Sequence, residues 1–411
     1  MRIPGDWEIK RLIEIADIKG GKRLPKGYSL QDEYNGHPYI TVSDMYEGGI
    51  SDKNVKYVPI EVVDQIKRYR IRKGDLFISV AGTLGIVGKV PAKFHNANLT
   101  ENADMITNIK IDKEYLFQVL ISPIVQKEIE KVKTTSAQPK LALERIRNFT
   151  IPVPKHEKEM KKIADILSTW DKAIQLKEKL IEQKKVQKKG LMQRLLTGKI
   201  RWNDGKKFTK YEIQKRLKKI SQGEIPEGYK FEKGYIIPYD WAILKISSIL
   251  KIKHGKDQKS VEKSDGRYPI LATSGQIGRT DQYLYNKPSV LIGRKGTIDR
   301  PQYIESPFWT VDTLFYSEIK ENFVPKWVYY YFCTIPWKKY NEASGVPSLS
   351  ASTIENIKIV VPPKLEQVKI AEILTAVDNE IELLEQELEA LKQQKKGLMQ
   401  LLLTGKVRVK C

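Results

Sequence analysis

The peptide KKGLMQRLLTGK (Lys188–Lys199) returns at Lys395–Lys406 as KKGLMQLLLTGK, with Leu401 in place of Arg194. A match of that length does not arise by chance, so the chain must accommodate a tandem duplication. The correspondence extends upstream, where IADILSTWDKAI (Ile163–Ile174) answers IAEILTAVDNEI (Ile370–Ile381). Allowing one residue of slippage, SAQPKLALERIRNFTIPVP (Ser136–Pro154) answers SGVPSLSASTIENIKIVVP (Ser344–Pro362). Far earlier, IPGDWEIKRLIEIADIKGGK (Ile3–Lys22) answers IPYDWAILKISSILKIKHGK (Ile237–Lys256). Between these anchors the halves diverge, with DLFISVAGTLG (Asp75–Gly85) set against SVLIGRKGTID (Ser289–Asp299). Two copies are too few for a solenoid, which needs at least three stacked units.

Each half consists of a globule followed by a long helix. The boundaries expected are a first globule over 1–155, a long helix over 156–200, a linker over 201–234, a second globule over 235–363 and a second helix over 364–411. In the globules DLFISVA, DMITNIKI, SVLIG and DTLFYSEI are rich in β-branched and aromatic residues and suit short strands. Glu114–Lys133 has helical character interrupted at Pro123, and Trp327–Tyr340 is its counterpart. Each globule is therefore expected to be mixed α/β (α+β).

In the second helix Ile370, Leu374, Val377, Ile381, Leu384, Leu388, Leu391, Lys395, Leu398 and Leu402 alternate spacings of four and three. That is a heptad seam. The equivalent seam of the first helix carries three lysines, Lys177, Lys184 and Lys188, whose aliphatic stems can still cover apolar surface. Gly198 and Gly405 follow the helices and suit the left-handed C-cap. A globule, a helix, a second globule and a second helix close most simply when the helices pair as an antiparallel coiled coil about a pseudo-two-fold axis. Packing accounts for the apolar seam but not for Gln193 and Gln400, which lie off it. Lys189, Gly190, Gln193 and Arg194, with Lys396, Gly397 and Gln400, are therefore candidate contacts for two identical partners.

The net charge of +22, from 72 Lys and Arg against 50 Asp and Glu, favours a polyanionic partner. Two cysteines, Cys333 and Cys411, exclude a disulfide framework or a Cys-rich zinc site. The start MRIPGDWEIK has no apolar signal core, and no apolar run reaches membrane-spanning length, so a soluble cytoplasmic protein is expected. AGTLGIVGKV departs from the phosphate-loop spacing and has Val90 where Ser or Thr would bind magnesium, which leaves a turn between strands. VVPPK lacks the flanking residues of an amino-methyltransferase motif, and His37, His95, His156 and His254 are scattered. No catalysis, metal or cofactor is expected.

Basic residues beside glycine mark the candidate DNA contacts. IKGGKRLPKGY supplies Lys22, Arg23 and Lys26, and the equivalent IKHGKDQKS supplies Lys256 and Lys259. GRKGT adds Arg294, Lys295 and Thr297, where the first half has Ser79 and Thr83. Lys133, Lys140, Arg267 and Ser348 complete the set. Lysines near phosphates position a duplex, whereas Arg, Ser and Thr at base edges confer sequence choice.

The layout resembles the specificity subunit of type I restriction–modification enzymes over almost the whole chain. The resemblance rests on the paired KKGLMQ-x-LLTGK helix ends, the Pro-x-x-Glu and Ile-Ala-x-Ile-Leu helix starts, SGVPSLSASTIENIKIVVP, the DWEI and DWAI openings, and WTVDTLFY (Trp309–Tyr316). It implies two target-recognition domains, each reading one half of a bipartite double-stranded DNA target, on two long helices that set their separation. It also implies two methyltransferase (modification) subunits as partners, restriction subunits joining that core, and no catalysis in the chain itself. The alternative from a different class is a structural coiled-coil adaptor whose basic charge serves RNA or an acidic protein.

Overall fold

A computed structural model of the chain describes residues 3–133, 139–204 and 208–410, Lys133 by its backbone alone. The chain divides into two compact units, Met1–Lys179 with Gln386–Cys411, and Leu180–Glu385.

The first unit contains a four-stranded antiparallel sheet in the order Asp17–Gly20, Ala103–Thr107, Leu76–Ser79, Val87–Lys89. Leu76–Ser79 is buried at every residue. Its period of two sends Leu76 and Ile78 into the main core with Leu116 and Leu120, while Phe77 joins a second cluster with Met105. The Gly-rich run that follows is the turn into Val87–Lys89, as expected of a sequence without the phosphate-loop spacing. A smaller sheet joins Lys56–Tyr57, Pro38–Ile40 and Asn98–Leu99. The helical stretch breaks where Pro123 dictates. Lys113–Ile121 starts at Asp112, whose side chain accepts from the Tyr115 amide at 2.8 Å, and ends at Ser122, held extended by the following proline. Pro123–Lys133 then begins anew.

The second unit repeats the plan. Its four-stranded sheet runs Leu250–Lys253, Leu314–Ile319, Ser289–Gly293, Gln302–Ile304, and a three-stranded sheet joins Gly275–Thr280, Tyr268–Ala272 and Trp309–Thr310. Pro325–Phe332 stands where the first unit has Lys113–Ile121, with Pro325 at the position that tolerates a missing N–H. In each unit the opening strand is closed by the strand before the long helix. Trp7–Arg11 pairs with Thr150–Pro154, and Ala242–Lys245 with Lys358–Val361. The stretch read as a linker carries a helix, Lys210–Ser221, with a Thr209/Glu212 capping box, and a hairpin of Tyr229–Glu232 with Tyr235–Pro238.

The long helices are Glu157–Leu195 and Lys364–Leu402, 39 residues each, or roughly 58 Å at 1.5 Å per residue. Within each unit a segment of one runs antiparallel to a segment of the other. In the first unit Asp171 pairs with Lys395 at 2.5 Å, Lys177 with Glu387 at 2.7 Å and Glu178 with Lys392 at 2.7 Å. In the second, Lys184 pairs with Glu380 at 2.6 Å, Lys185 with Glu385 at 2.6 Å, and Lys188 with Asp378. Every seam position of both helices is buried or half-buried. The three seam lysines of the first helix do more than cover apolar surface, since each meets an acid across the pair. Both helices end as expected, with Gly198 (φ 72°) and Gly405 (φ 67°) left-handed. The Ile200 and Val407 amides reach back to the carbonyls of Arg194 and Leu401, satisfying the last turn.

Candidate nucleic-acid interface

The same corner of each globule gathers basic side chains. In the first unit the backbone passes Thr100 so closely at Gly21 that a Cβ there would lie 2.0 Å from the Thr100 carbonyl oxygen. Only glycine permits that crossing. The Gly21 amide donates to the Ala103 carbonyl at 3.0 Å and the Lys22 amide to that of Leu99 at 2.9 Å. Lys22 and Arg23 are thereby exposed at a cleft of about 420 Å³ that Lys140 also lines. Lys140 is held there because the next amide, Leu141, donates to the Val80 carbonyl at 2.9 Å. Arg23 is engaged with Glu101 at 2.7 Å.

In the second unit Gly255 repeats the crossing, 2.0 Å from the Val311 oxygen. The Lys256 amide donates to Thr310 at 2.9 Å, and its carbonyl accepts from the Trp309 indole at 2.9 Å. The amides of Arg294 and Lys295 both donate to the Thr313 carbonyl, at 2.8 and 3.3 Å. The Leu349 amide donates to Arg294 as Leu141 does to Val80, which brings in Ser348. Lys256, Arg294, Lys295, Thr297 and Ser348 therefore share one corner, with the Arg294 guanidinium resting on the Asp312 carbonyl at 3.2 Å.

Other sequence-predicted contacts lie elsewhere. Ser79 is fully buried; its hydroxyl donates to the Thr83 carbonyl at 2.6 Å and accepts from the Ile86 amide at 2.8 Å. The expectation of DNA contact at Ser79 gives way to a role in holding the turn, which leaves Thr83 exposed. Lys26 and Lys259 are exposed. Arg267 lies over the Tyr268 ring and faces Asp281 at 3.4 Å, on the three-stranded sheet. The Lys133 side chain lies outside the described residues.

The duplicated helix peptide separates into two parts. Met192, Leu195 and Leu196 are buried in one core and Met399, Leu402 and Leu403 in the other. Gly198 leaves no room for a Cβ, which would meet Pro238 at 2.5 Å, and Gly405 stands likewise against Pro4. Packing explains those letters. It does not explain Lys189, Gln193, Lys396 and Gln400, which are exposed, nor Gly190 and Gly397, where a Cβ would meet no described atom within 4 Å beyond the helix's own backbone and the adjoining residues. A helix-interior glycine costs roughly 0.5–1 kcal/mol relative to alanine. Arg194 and Leu401 are exposed too. Beside these residues each unit has a groove, about 690 Å³ in the first and 530 Å³ in the second. The grooves have equivalent walls, with Asp171 bound by Gln118 at 2.6 Å and Lys395, and Asp378 bound by Tyr330 at 2.8 Å and Lys188.

One pair of sites escaped the sequence reading. Glu159, 2% exposed, accepts from Arg408 (Nε 2.6 Å, Nη2 2.9 Å) and from the Trp7 indole at 3.3 Å, while the same guanidinium grips Asp6 at 2.9 and 2.6 Å. In the second unit Glu366, also 2% exposed, accepts from Arg201 (Nε 3.0 Å, Nη2 2.5 Å) and from the Trp241 indole at 3.0 Å, and Arg201 grips Asp240 at 2.8 and 2.7 Å. The signal was in plain view: Asp-Trp at each opening, a glutamate at each helix start, and TGKIR or TGKVR at each helix end.

Among the described residues no group of His, Cys, Asp or Glu could hold a metal ion, and no helix is long and apolar enough to cross a membrane. Two globules with differing basic corners on one duplicated frame, joined by paired helices, define a class of two-site recognition scaffold. The family model for the type I restriction modification DNA specificity domain matches residues 4–185 and again 238–393, and the chain belongs to that family. It is 29% identical to the putative type I restriction enzyme MjaX specificity subunit of Methanocaldococcus jannaschii, over 99% of this chain and 95% of that protein. The MjaVIII specificity subunit of the same organism is 26% identical over 100% and 95%. The crystal structure of the S subunit from M. genitalium shares the fold, with a TM-score of 0.56, 16% identity and 98% of each chain covered. The family resemblance drawn from the motifs is thus borne out.

Proposed function

We propose that each basic corner binds one half of a bipartite double-stranded DNA target, that the helix pair fixes the spacing between halves, and that the two grooves dock two methyltransferase subunits. Restriction subunits join that core, the chain itself contributes no catalysis, and the assembly works in the cytoplasm. The observation that carries this reading is that one backbone corner, built on Gly21 and again on Gly255, bears different side chains in the two units. A frame kept constant while its polar decoration changes suits two readers of different sequences.

The test is selection of duplexes from a random pool by the full chain assembled with its methyltransferase partner. A bipartite consensus with fixed spacing is expected. Replacing Arg294 and Lys295 by Ala should weaken one half-site and reduce the slope of log affinity against log salt by roughly 1.8, at about 0.9 per phosphate contact. Binding without sequence preference, equal on RNA and DNA, would overturn the reading in favour of an adaptor. Gln193→Glu with Gln400→Glu should lower methyltransferase stoichiometry on co-purification, and full retention would leave those positions as solvated surface.

A further inference from the structure

The two corners differ most at one buried position. By strand register Asp104 lies opposite Gly20 and Ile78 in the first unit. The equivalent residue of the second unit is Phe315, paired with Ile292 and packed edge-on against His254 with ring centroids 4.9 Å apart. His254 in turn stands where the first unit has Gly20. Two rings fill this place in one globule; in the other a glycine and a carboxylate leave it open as the cleft of about 420 Å³. The frame plainly tolerates an apolar residue here, so the fold does not require the acid.

Asp104 is 5% exposed, and its Oδ2 has no hydrogen-bond partner among the described residues. An ionised carboxylate in that state is costly unless something completes it. Among the described residues no cation contacts it. Lys22, Arg23 and Lys140 line the same cleft, Arg23 is occupied by Glu101, and Lys140 and Arg147 act on Asp104 only through space. A positively charged rim above an acceptor-only floor suits a ligand that is anionic outside and carries an amino group inside. A nucleotide is such a ligand, because its phosphate meets the rim while the exocyclic amine of cytosine or adenine donates to a carboxylate.

Resting on the proposed DNA reading, we infer that Asp104 is a specificity-determining residue that accepts a hydrogen bond from the exocyclic amino group of one base in the half-site of the first globule, with Lys22 and Lys140 holding the flanking phosphates. The second globule, with Phe315 there, has no such requirement.

The test uses the full chain with the duplex consensus it selects. Each cytosine of the first half-site is replaced in turn by pyrimidin-2-one, and each adenine by purine, which removes only the amine. One position should weaken binding of the unaltered protein about tenfold, the scale of one base contact. At that position Asp104→Ala and Asp104→Leu, neither of which has a side-chain acceptor, should bind native and amine-free duplexes equally, while losses at all other positions stay as in the unaltered protein. Which analogue shows the effect tells cytosine from adenine. Hydrogen-exchange protection retained in Leu76–Ser79, the strand beside Asp104 in the first globule, separates this from misfolding. Amine-removal losses that persist undiminished in both variants at every position would overturn the role of Asp104 alone. A failure to select any consensus would overturn the DNA reading and this inference with it.

Discussion

Glu366 carries a negative charge at 2% exposure, a state that survives only because Arg201 and the Trp241 indole complete it. Removing one partner of a buried pair strands the other. Arg201→Met should therefore destabilise the second unit by about 3–5 kcal/mol, read from denaturant unfolding with hydrogen exchange in Ala242–Lys245. Arg408→Met should cost the first unit less, because that guanidinium is 43% exposed against 26% for Arg201. Equal losses would show that exposure does not govern the clamp. Asp104 behaves in the opposite sense. Burial raises its carboxyl to about 6, with Lys140 and Arg147 opposing. The folded state then holds its proton more tightly than the unfolded chain, so stability falls as pH rises from about 4 through about 6. The ionised form costs on the order of 3 kcal/mol, at 1.36 kcal/mol per pKa unit. Asp104→Asn should raise the thermal midpoint of the first unit by several degrees at pH 8 and by little at pH 4. An equal gain at both would show that charge is not the cause. None of this was legible in ADMITNIKI, which fixes a strand but not the neighbour of Asp104. That neighbour, Gly20, lies more than eighty positions away in sequence and is set by register.

Elements were more legible than residues, because periodicity and proline act locally. Pro123 announced a helix break, and the four-three spacing located the seam to the residue. What spacing could not reveal was how the seam lysines are neutralised, since their partners sit on the other helix. Lys395 is the most buried of them, with its side chain 8% exposed and its ammonium shared with an Asp171 carboxylate that also accepts from Gln118. Asp171→Ala leaves that ammonium without its partner in low dielectric and should cost the first unit about 3 kcal/mol. Replacing both, Lys395→Met with Asp171→Leu, should be close to neutral, because an apolar pair needs no desolvation. Urea unfolding of the single and double variants decides it; a double variant as unstable as the single would mean the groove around Glu47 and Lys396 depends on that charge. At Asp378 the same single change should cost less, since Lys188 is 22% exposed.

For the whole molecule the duplication was the feature that sequence displayed most openly, and its consequence for function is geometric. The boundary between units falls inside both long helices, at Lys179–Leu180 and Glu385–Gln386, so each helix contributes to both halves of the chain. The proposed role of the pair as a ruler can be tested by lengthening it. An insertion in one helix alone would leave seam residues without partners, so a matched change is required. One heptad after Ile181 falls between the Lys177–Glu387 and Lys184–Glu380 ion pairs, one after Leu388 falls just beyond Glu387, and each keeps the seam of its own helix in phase. Each adds roughly 10 Å at 1.5 Å per residue. At about 3.4 Å per base pair the spacer between half-sites should grow by about three base pairs. The bases within each half should stay the same, because neither basic corner is touched. Three pairs also turn one half-site by nearly a third of the roughly 10.5-pair repeat, so affinity should drop even on the lengthened target. Mapping methylated sites for the insertion variant in its assembled complex gives the answer: an unaltered spacer, or altered half-site bases, would defeat the ruler.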